Sequence, residues 1–285
     1  MALPRVLGHE FVGVVVAAGA DATTAVGTRV TADTDGGCGR CRWCLRGLAH
    51  ACADQRRIGT QRDGGFAEYV AVPERSIRVV PAALDYRLAC MLEPFACAVR
   101  AVGHLPNLVG TTGAVIGPGP IGLLAATALH DAGCNPVLVV GLPEDEHRLR
   151  AAEKLGFRTA TVDEAPQRAS EVEPLGGFDA VVDAVGSAGS LMLAARLTRF
   201  GGHVSIVGVG PAGTVDVRAL LEKELTVHGS WRRLLKDWDT ATAIALRRPD
   251  LVDLVDGLYG LEDARSALDA LVERRHVKAI VQVNV

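Results

Sequence analysis

Apolar positions in the first eighty residues come in short bursts, FVGVVVAAG, GTRVTADT, GGFAEYVAV and SIRVVP, each closed by glycine, proline or a polar turn. Bursts of this length, alternating with period two and separated by turn residues, predict the strands of a compact β domain. At LDYRLACMLEPFACAVRAVG the spacing becomes helical. Pro94 suits the first turn of a second helix there, which places Glu93 at the break between two helices. From Thr111 the pattern alternates: AVIG, IGLLAATALHDAG, PVLVVG, EDEHRLRAAEKLG, FDAVVDAVG, SLMLAARLTRFG and HVSIVGV. Nearly all-apolar strands separated by helices predict a parallel sheet covered on both faces. A charged, tryptophan-bearing helix and the strand KAIVQVNV follow Gly229 and are expected to return to the first domain.

Length and composition sharpen this division. At 285 residues, 49% of them apolar, the chain has enough core for two lobes. The formal net charge is -3 and the lysines and arginines are scattered, which argues against nucleic acid or an anionic membrane as the main partner and for a small molecule. No apolar run reaches the length of a membrane span, and MALPRVLGHE has neither the basic nor the long apolar region of an export signal. Of the seven cysteines, Cys90, Cys97 and Cys134 stand apart in apolar contexts and read as free buried thiols, which fits a reducing cytoplasm.

The other four, Cys38, Cys41, Cys44 and Cys52, follow the spacing C-x2-C-x2-C-x7-C. Four thiolates saturate a tetrahedral zinc ion and leave no position for substrate, so the favoured reading is a structural zinc. A disulfide pair, an iron–sulfur cluster and ordinary buried thiols are the alternatives. The turn Gly117-Pro118-Gly119-Pro120-Ile121-Gly122 joins a predicted strand to a predicted helix, the context in which glycines admit a dinucleotide pyrophosphate to a helix N-terminus. At the end of the next strand, where a ribose-binding acid is expected, stands Gly141. Two readings follow: Asp145 or Glu144 reaches back to the ribose, or a 2′-phosphorylated cofactor is taken, attracted by Arg148 or His147 and opposed by Glu144, Asp145 and Glu146. The first, with NAD, is slightly favoured. Gly8-His9-Glu10 offers an imidazole beside a carboxylate, and Glu93 offers a second carboxylate to the same metal.

In their order, GHE, the four-cysteine lobe, GGFAEYVAVP, LEPFACAVRAV, IGPGPIGLLAA, FDAVVDAVG and KELTVHGSW resemble the zinc-dependent medium-chain alcohol and polyol dehydrogenases. Glu93 in LEPFACAV resembles the sorbitol and threonine dehydrogenase branch in particular. The resemblance runs from residue 7 to the C-terminus and implies an α/β protein: a partial GroES-like β domain (1–101), a doubly wound Rossmann domain (102–238) and a C-terminal return (239–285). It further implies an active site in the cleft between the domains. His9 and Glu10, with Glu93, match the catalytic-zinc position, and Arg148 matches a basic residue near the adenosine ribose. Val207, Gly208 and Val209 match the strand end beside the nicotinamide, and Ser230, Trp231 and Arg232 match a segment lining the cleft.

The expected chemistry is hydride transfer between a polar secondary alcohol (polyol, cyclitol or amino alcohol) and NAD or NADP, zinc acting as a Lewis acid and Arg232 or Arg233 recognising substrate. A homodimer or homotetramer is expected through the HVSIVGV and ELTVHGS strands. One departure bears on activity. The family's first catalytic ligand is a cysteine some thirty residues before GHE, followed by a proton-relaying hydroxyl, whereas this chain starts eight residues before His9. Either a segment is omitted from the sequence, or a short form holds its metal with His9, a carboxylate and water, or holds none. The rival readings are a nicotinamide-binding homologue that does not catalyse and a zinc-independent NADPH reductase.

Overall fold

A computed structural model describes residues 3–172, 174 and 176–283. Strands β1 (Gly13–Val14), β2 (Arg29–Ala32) and β3 (Ile77–Val79) form a three-stranded antiparallel sheet with β2 in the middle. Helix α1 (Tyr86–Cys90) begins at Asp85, whose carboxylate accepts from the Arg87 N–H at 2.8 Å. After Met91, α2 (Leu92–Val102) carries Glu93 in its first turn, followed by Pro94, where a missing N–H costs no helical bond.

The burst GGFAEYVAV forms no strand, which corrects the sequence expectation. Its backbone meets residues 6–8 through single hydrogen bonds from Gly64, Gly65 and Phe66 to the carbonyls of Val6, Gly8 and Leu7, and residues 67–72 join no ladder. An alternating pattern makes a strand only where a neighbouring strand supplies the other half of each bond.

Next come β4 (Gly113–Ile116), α3 (Pro120–Asp131), β5 (Val137–Gly141), α4 (Glu146–Lys154), β6 (Arg158–Thr161), α5 (Ala165–Ser170), β7 (Phe178–Asp183), α6 (Ala188–Leu197), β8 (Thr198–Ile206), α7 (Val217–Leu221) and β9 (Thr226–Gly229). These six strands make one parallel sheet in the order β6-β5-β4-β7-β8-β9. Buried side chains of Ala114, Ile116, Leu138, Val140, Val181 and Val204 pack with Leu197 and Ala194 of α6, which is why these strands read as uninterrupted apolar runs. Strand β8 lies between β7 and β9, so of the two segments expected to pair between subunits only β9 lies at a sheet edge.

The chain closes with α8 (Leu235–Arg247), β10 (Val255–Gly260), α9 (Ala264–Val272) and β11 (Lys278–Gln282), β10 and β11 forming a two-stranded sheet. Two compact units result. Residues 1–96, 233–273 and 279–285 form the first, and residues 97–232 and 274–278 the second. The core of the first includes Leu88, Met91, Leu92 and Phe95 of α1, α2 and the residue joining them, and Trp238, Ala241 and Ile244 of α8. Among the described residues no helix is long and apolar enough to cross a membrane.

Candidate metal and nucleotide sites

The cysteine lobe has no sheet to hold it. Two single 3-10 turns, Cys44–Arg46 and Ala49–Ala51, carry the chain between its third and fourth cysteines. One sulfur from each of Cys38, Cys41, Cys44 and Cys52 nevertheless lies within 4.8 Å of the other three. The Sγ atoms of Cys38 and Cys44 are 3.9 Å apart, and a tetrahedron with metal–sulfur bonds of about 2.3 Å has edges of about 3.8 Å. A disulfide would need about 2.05 Å.

Backbone N–H groups of Arg40 and Cys41 hold the Cys38 thiol down at about 6, and backbone donors also lower Cys41. Burial pushes Cys44 up to about 12. A dication is the natural means of ionising that last thiol together with the others, so the four sulfurs suit zinc in geometry and in charge.

A second group lies in the same unit. His9, Glu10 and Glu93 each bring one ligand atom within 4.8 Å of the other two, His9 exposed, Glu10 half-buried and Glu93 buried. Three atoms so spaced share a centre at most about 2.8 Å from each, close enough for modest side-chain motion to reach metal–ligand distances of about 2.0–2.2 Å.

The local backbone explains how His9 arrives there. Gly8 has φ +94° and its carbonyl accepts from Gly65, while a Cβ on Gly64 would stand 2.1 Å from the Gly8 oxygen. The two glycines of GGF therefore provide close approach for the His9 segment rather than strand pairing. Cys90 adds a long contact from its Sγ to the Glu10 carbonyl at 3.4 Å.

Around Glu93 the charges are unusual. Arg233, its side chain 2% exposed, sets Nη1 2.5 Å from Glu93 Oε1 and 4.0 Å from Asp35 Oδ1, and Nη2 3.3 Å from Asp33 Oδ1. The same Nη2 donates to the Thr34 hydroxyl at 2.7 Å, and the guanidinium carbon lies 5.4 Å from the centre of the Trp238 ring. Burial raises the Glu93 carboxyl, as do the charges of Glu10 and Asp35, against the pull of Arg233 and His9. Enclosed in this way, Arg233 is removed from the two arginines expected to recognise substrate. Arg232, with φ +63°, lies against the exposed Trp231. Sequence reasoning missed Asp33, Thr34 and Asp35, which carry no motif of their own.

In the second unit, the expected nucleotide residues gather at the C-terminal ends of the parallel strands. Gly119 begins α3 and a Cβ there would meet nothing within 4 Å, while a Cβ on Gly122 would lie 1.8 Å from the Gly117 oxygen. The first leaves the helix N-terminus open, as an anion there would need; the second contact seats the helix on its own turn.

Asp183, fully buried and missed by the sequence reading although it lies in FDAVVDAVG, shapes the next strand end. Its Oδ1 accepts from Val185 and Gly186 N–H at 2.9 Å each, its Oδ2 from Ser190, and its carbonyl from Val207 and Gly208. Val207, Gly208 and Val209 are thereby held against the 184–187 turn, and a Cβ on Gly208 would strike the Val185 carbonyl carbon at 2.3 Å. Ser230 follows the neighbouring strand end, its N–H donating to Ile206 and its buried Oγ lacking a partner among the described residues. A buried hydroxyl without a partner beside a glycine-lined turn suits a polar ligand group.

The end of β5, where a ribose-binding acid was expected, is closely packed. A Cβ on Gly141 would stand 2.9 Å from Pro118 Cγ and 3.1 Å from Leu149 Cδ2, so the proline inside GPGPIG leaves no room for an acid there. Asp145 is buried with Oδ2 accepting from Leu142 N–H at 3.1 Å and Oδ1 paired to Arg274 at 3.3 Å and Arg148 at 3.7 Å. Arg148 also donates to the His276 carbonyl. Of the two acids expected to reach back to a ribose, Asp145 is thus engaged by Leu142, Arg148 and Arg274, while Glu144 is exposed.

Comparison with known proteins identifies relatives of the chain. The alcohol dehydrogenase GroES-like domain family matches residues 1–82 and the zinc-binding dehydrogenase family matches residues 120–247. The chain is 32% identical to the D-arabitol-phosphate dehydrogenase of Enterococcus avium, covering 99% of this chain and 82% of that protein. It is also 32% identical to the sorbitol dehydrogenase of Halalkalibacterium halodurans, covering 84% of it. Among solved structures, a Sinorhizobium meliloti protein described as a zinc-binding dehydrogenase, with NADP bound, superposes with TM-score 0.83 at 32% identity, covering 99% of this chain and 83% of that one. The alcohol dehydrogenase of Thermus sp. ATN1 gives 0.90 at 28% identity, covering 100% of this chain and 87% of that one. With metal-ligand clusters in one unit and a glycine-turn sheet in the other, the chain belongs to the zinc-type medium-chain alcohol and polyol dehydrogenases.

Proposed function

We propose that this protein oxidises a polar secondary alcohol to the ketone, or reverses that step, with NADP as the hydride carrier and a zinc ion at His9, Glu10 and Glu93. The convergence of those three side chains within 4.8 Å, in surroundings richer in carboxylates than in cations, carries the reading. When bound, the zinc supplies Lewis acidity toward the substrate oxygen and the nicotinamide accepts the hydride. Glu93, fixed at the start of α2, presents a carboxylate that water does not reach freely. His9 offers a nitrogen from a backbone clamped by Gly64 and Gly65. Cys38, Cys41, Cys44 and Cys52 hold a structural zinc with no catalytic part.

Cofactor choice rests on the ribose end. Gly141 presents no carboxylate to repel a 2′-phosphate, and Asp145 is already paired with Arg148 and Arg274. The Sinorhizobium meliloti neighbour, solved with NADP, points the same way. Pro118, Gly119, Pro120, Ile121 and Gly122 receive the pyrophosphate, Val207 to Val209 and Ser230 the nicotinamide end, and Trp231 and Arg232 the rim beside it. Polyols, polyol phosphates and amino alcohols are the substrate class, in keeping with relatives named for arabitol phosphate, sorbitol and threonine. A homodimer through β9, whose second edge is unpaired among the described strands, completes the proposal.

The test is metal analysis together with a nicotinamide-reduction assay over a panel of polyols, polyol phosphates and 3-hydroxy amino acids. Two zincs per chain and NADP reduction with a member of the panel are expected. One zinc per chain and no reduction with any member would leave only nucleotide binding and a structural lobe.

A further inference from the structure

Arg233 is the best enclosed cation near the proposed catalytic metal, and nothing about hydride transfer requires it. Its guanidinium faces Asp33, Asp35 and Glu93 together, with Thr34 filling a further donor position and Trp238 lying 5.4 Å away. One positive charge therefore stands among these three carboxylates, and Glu10 adds a fourth on the ligand side of Glu93. The same Glu93 carboxylate thus belongs to both neighbourhoods, that of the guanidinium and that of the candidate metal ligands.

Resting on the proposed metal site, we infer that Arg233 is a positioning residue that competes with the metal for Glu93 and so keeps this carboxylate a displaceable ligand. The contact between Nη1 and Glu93 Oε1, at 2.5 Å, is a charge-assisted hydrogen bond, the strong kind for such a pair. A dication at His9 and Glu10 draws on a carboxylate whose negative charge is already shared with the guanidinium. Glu93 would consequently keep a partner in the guanidinium if it released a bound metal. The other arms of Arg233, to Asp33 and Thr34 just after β2, keep the guanidinium in place whichever way Glu93 turns.

The experiment measures affinity for the second zinc equivalent by chelator competition, with the lobe zinc kept in place, in wild type, Arg233→Gln, Arg233→Lys and Glu93→Gln and in the Arg233→Gln/Glu93→Gln double variant. Removing the competing charge should tighten the second zinc at least tenfold in Arg233→Gln. Arg233→Lys, which keeps the charge, should stay within about threefold of wild type, and in the Glu93→Gln background the Arg233→Gln effect should disappear.

Thermal melts supply an independent reading. Without zinc, Arg233→Gln leaves buried carboxylates unpaired and melts lower, and the gain in Tm on adding zinc exceeds that of wild type. An Arg233→Gln protein that binds the second zinc as wild type does, or more weakly, overturns the inference, as does a melting loss that zinc does not restore. Should Arg233→Gln not fold, Arg233→Lys decides with Glu93→Gln: a loss of second-site affinity above tenfold in Arg233→Lys overturns the competition. A wild-type chain holding only the lobe zinc would defeat the functional reading itself, whereas two zincs with an unresponsive Arg233→Gln defeats this inference alone.

Discussion

Two glycines of one turn should fail in opposite ways when each gains a single methyl group. At Gly122 the new Cβ would lie 1.8 Å from the Gly117 carbonyl oxygen and 3.4 Å from Val115 Cγ1. An ordinary carbon–oxygen contact is about 3.3 Å, so α3 and the turn must separate by about 1.5 Å, and the obstructing atom is backbone, which cannot swing aside. Overpacking of this kind costs about 3 kcal/mol or more. With an m-value of about 3 kcal/mol/M, the urea midpoint of Gly122→Ala falls by about 1 M. At Gly119 no atom lies within 4 Å of the added carbon and the backbone is extended, with φ -73° and ψ 177°. Gly119→Ala therefore loses only the N-cap preference, at most about 1 kcal/mol, and keeps its midpoint within about 0.3 M. Its defect appears in binding: the methyl stands where the pyrophosphate approaches, and NADP affinity drops at least about tenfold, or 1.4 kcal/mol. Urea unfolding followed by circular dichroism, and calorimetric titration with NADP, read the two effects separately. A Gly122→Ala protein as stable as wild type, or a Gly119→Ala protein that binds NADP normally, would refute the placement of helix and turn.

Two shorter predictions follow from the same structure. Because the lobe has only single 3-10 turns, Cys44→Ser or stripping of the lobe zinc should open it to trypsin at the exposed Arg40, Arg42 and Arg46, and unchanged digestion kinetics would contradict a structural metal. At Asp179, burial raises the carboxyl, but the Thr112 N–H, the Arg199 guanidinium and the Thr112 hydroxyl together outweigh it and hold the group below its ordinary value. A carboxyl lowered by folding contributes stability above about pH 4 that disappears as pH falls through the folded value. Asp179→Asn should accordingly flatten the acid limb of a plot of urea midpoint against pH, and an acid limb as steep as wild type would count against the pairing.

The parallel sheet was legible because β4 and β5 are buried along their whole length and read as unbroken apolar runs, as does the centre of β7 between Asp179 and Asp183. Strand β6 went unread: it lies at the sheet edge, and RTAT shows an exposed Arg158 and half-buried threonines rather than an apolar run. GGFAEYVAV was over-read for the opposite reason, since its alternation is real but its backbone bonds among the described residues go to Val6, Leu7 and Gly8, just before His9. The candidate metal-ligand clusters were legible as residue types, because imidazole, carboxylate and thiolate have few structural reasons to cluster. What surrounds them was not. Arg232 and Arg233 are identical neighbours in sequence, and only the fold reveals that one lies against an exposed tryptophan while the other is enclosed by acids brought from two hundred residues away.

Gly141 and Pro118, pressed together across the nucleotide turn, set a condition on reprogramming the cofactor. An aspartate installed at 141 alone collides with the proline ring, so a carboxylate offered to a coenzyme ribose from that position costs folding before it can alter selectivity. The ring has to be exchanged for a smaller residue first. The order of the two changes then matters as much as their identity, whether a laboratory or a lineage makes them.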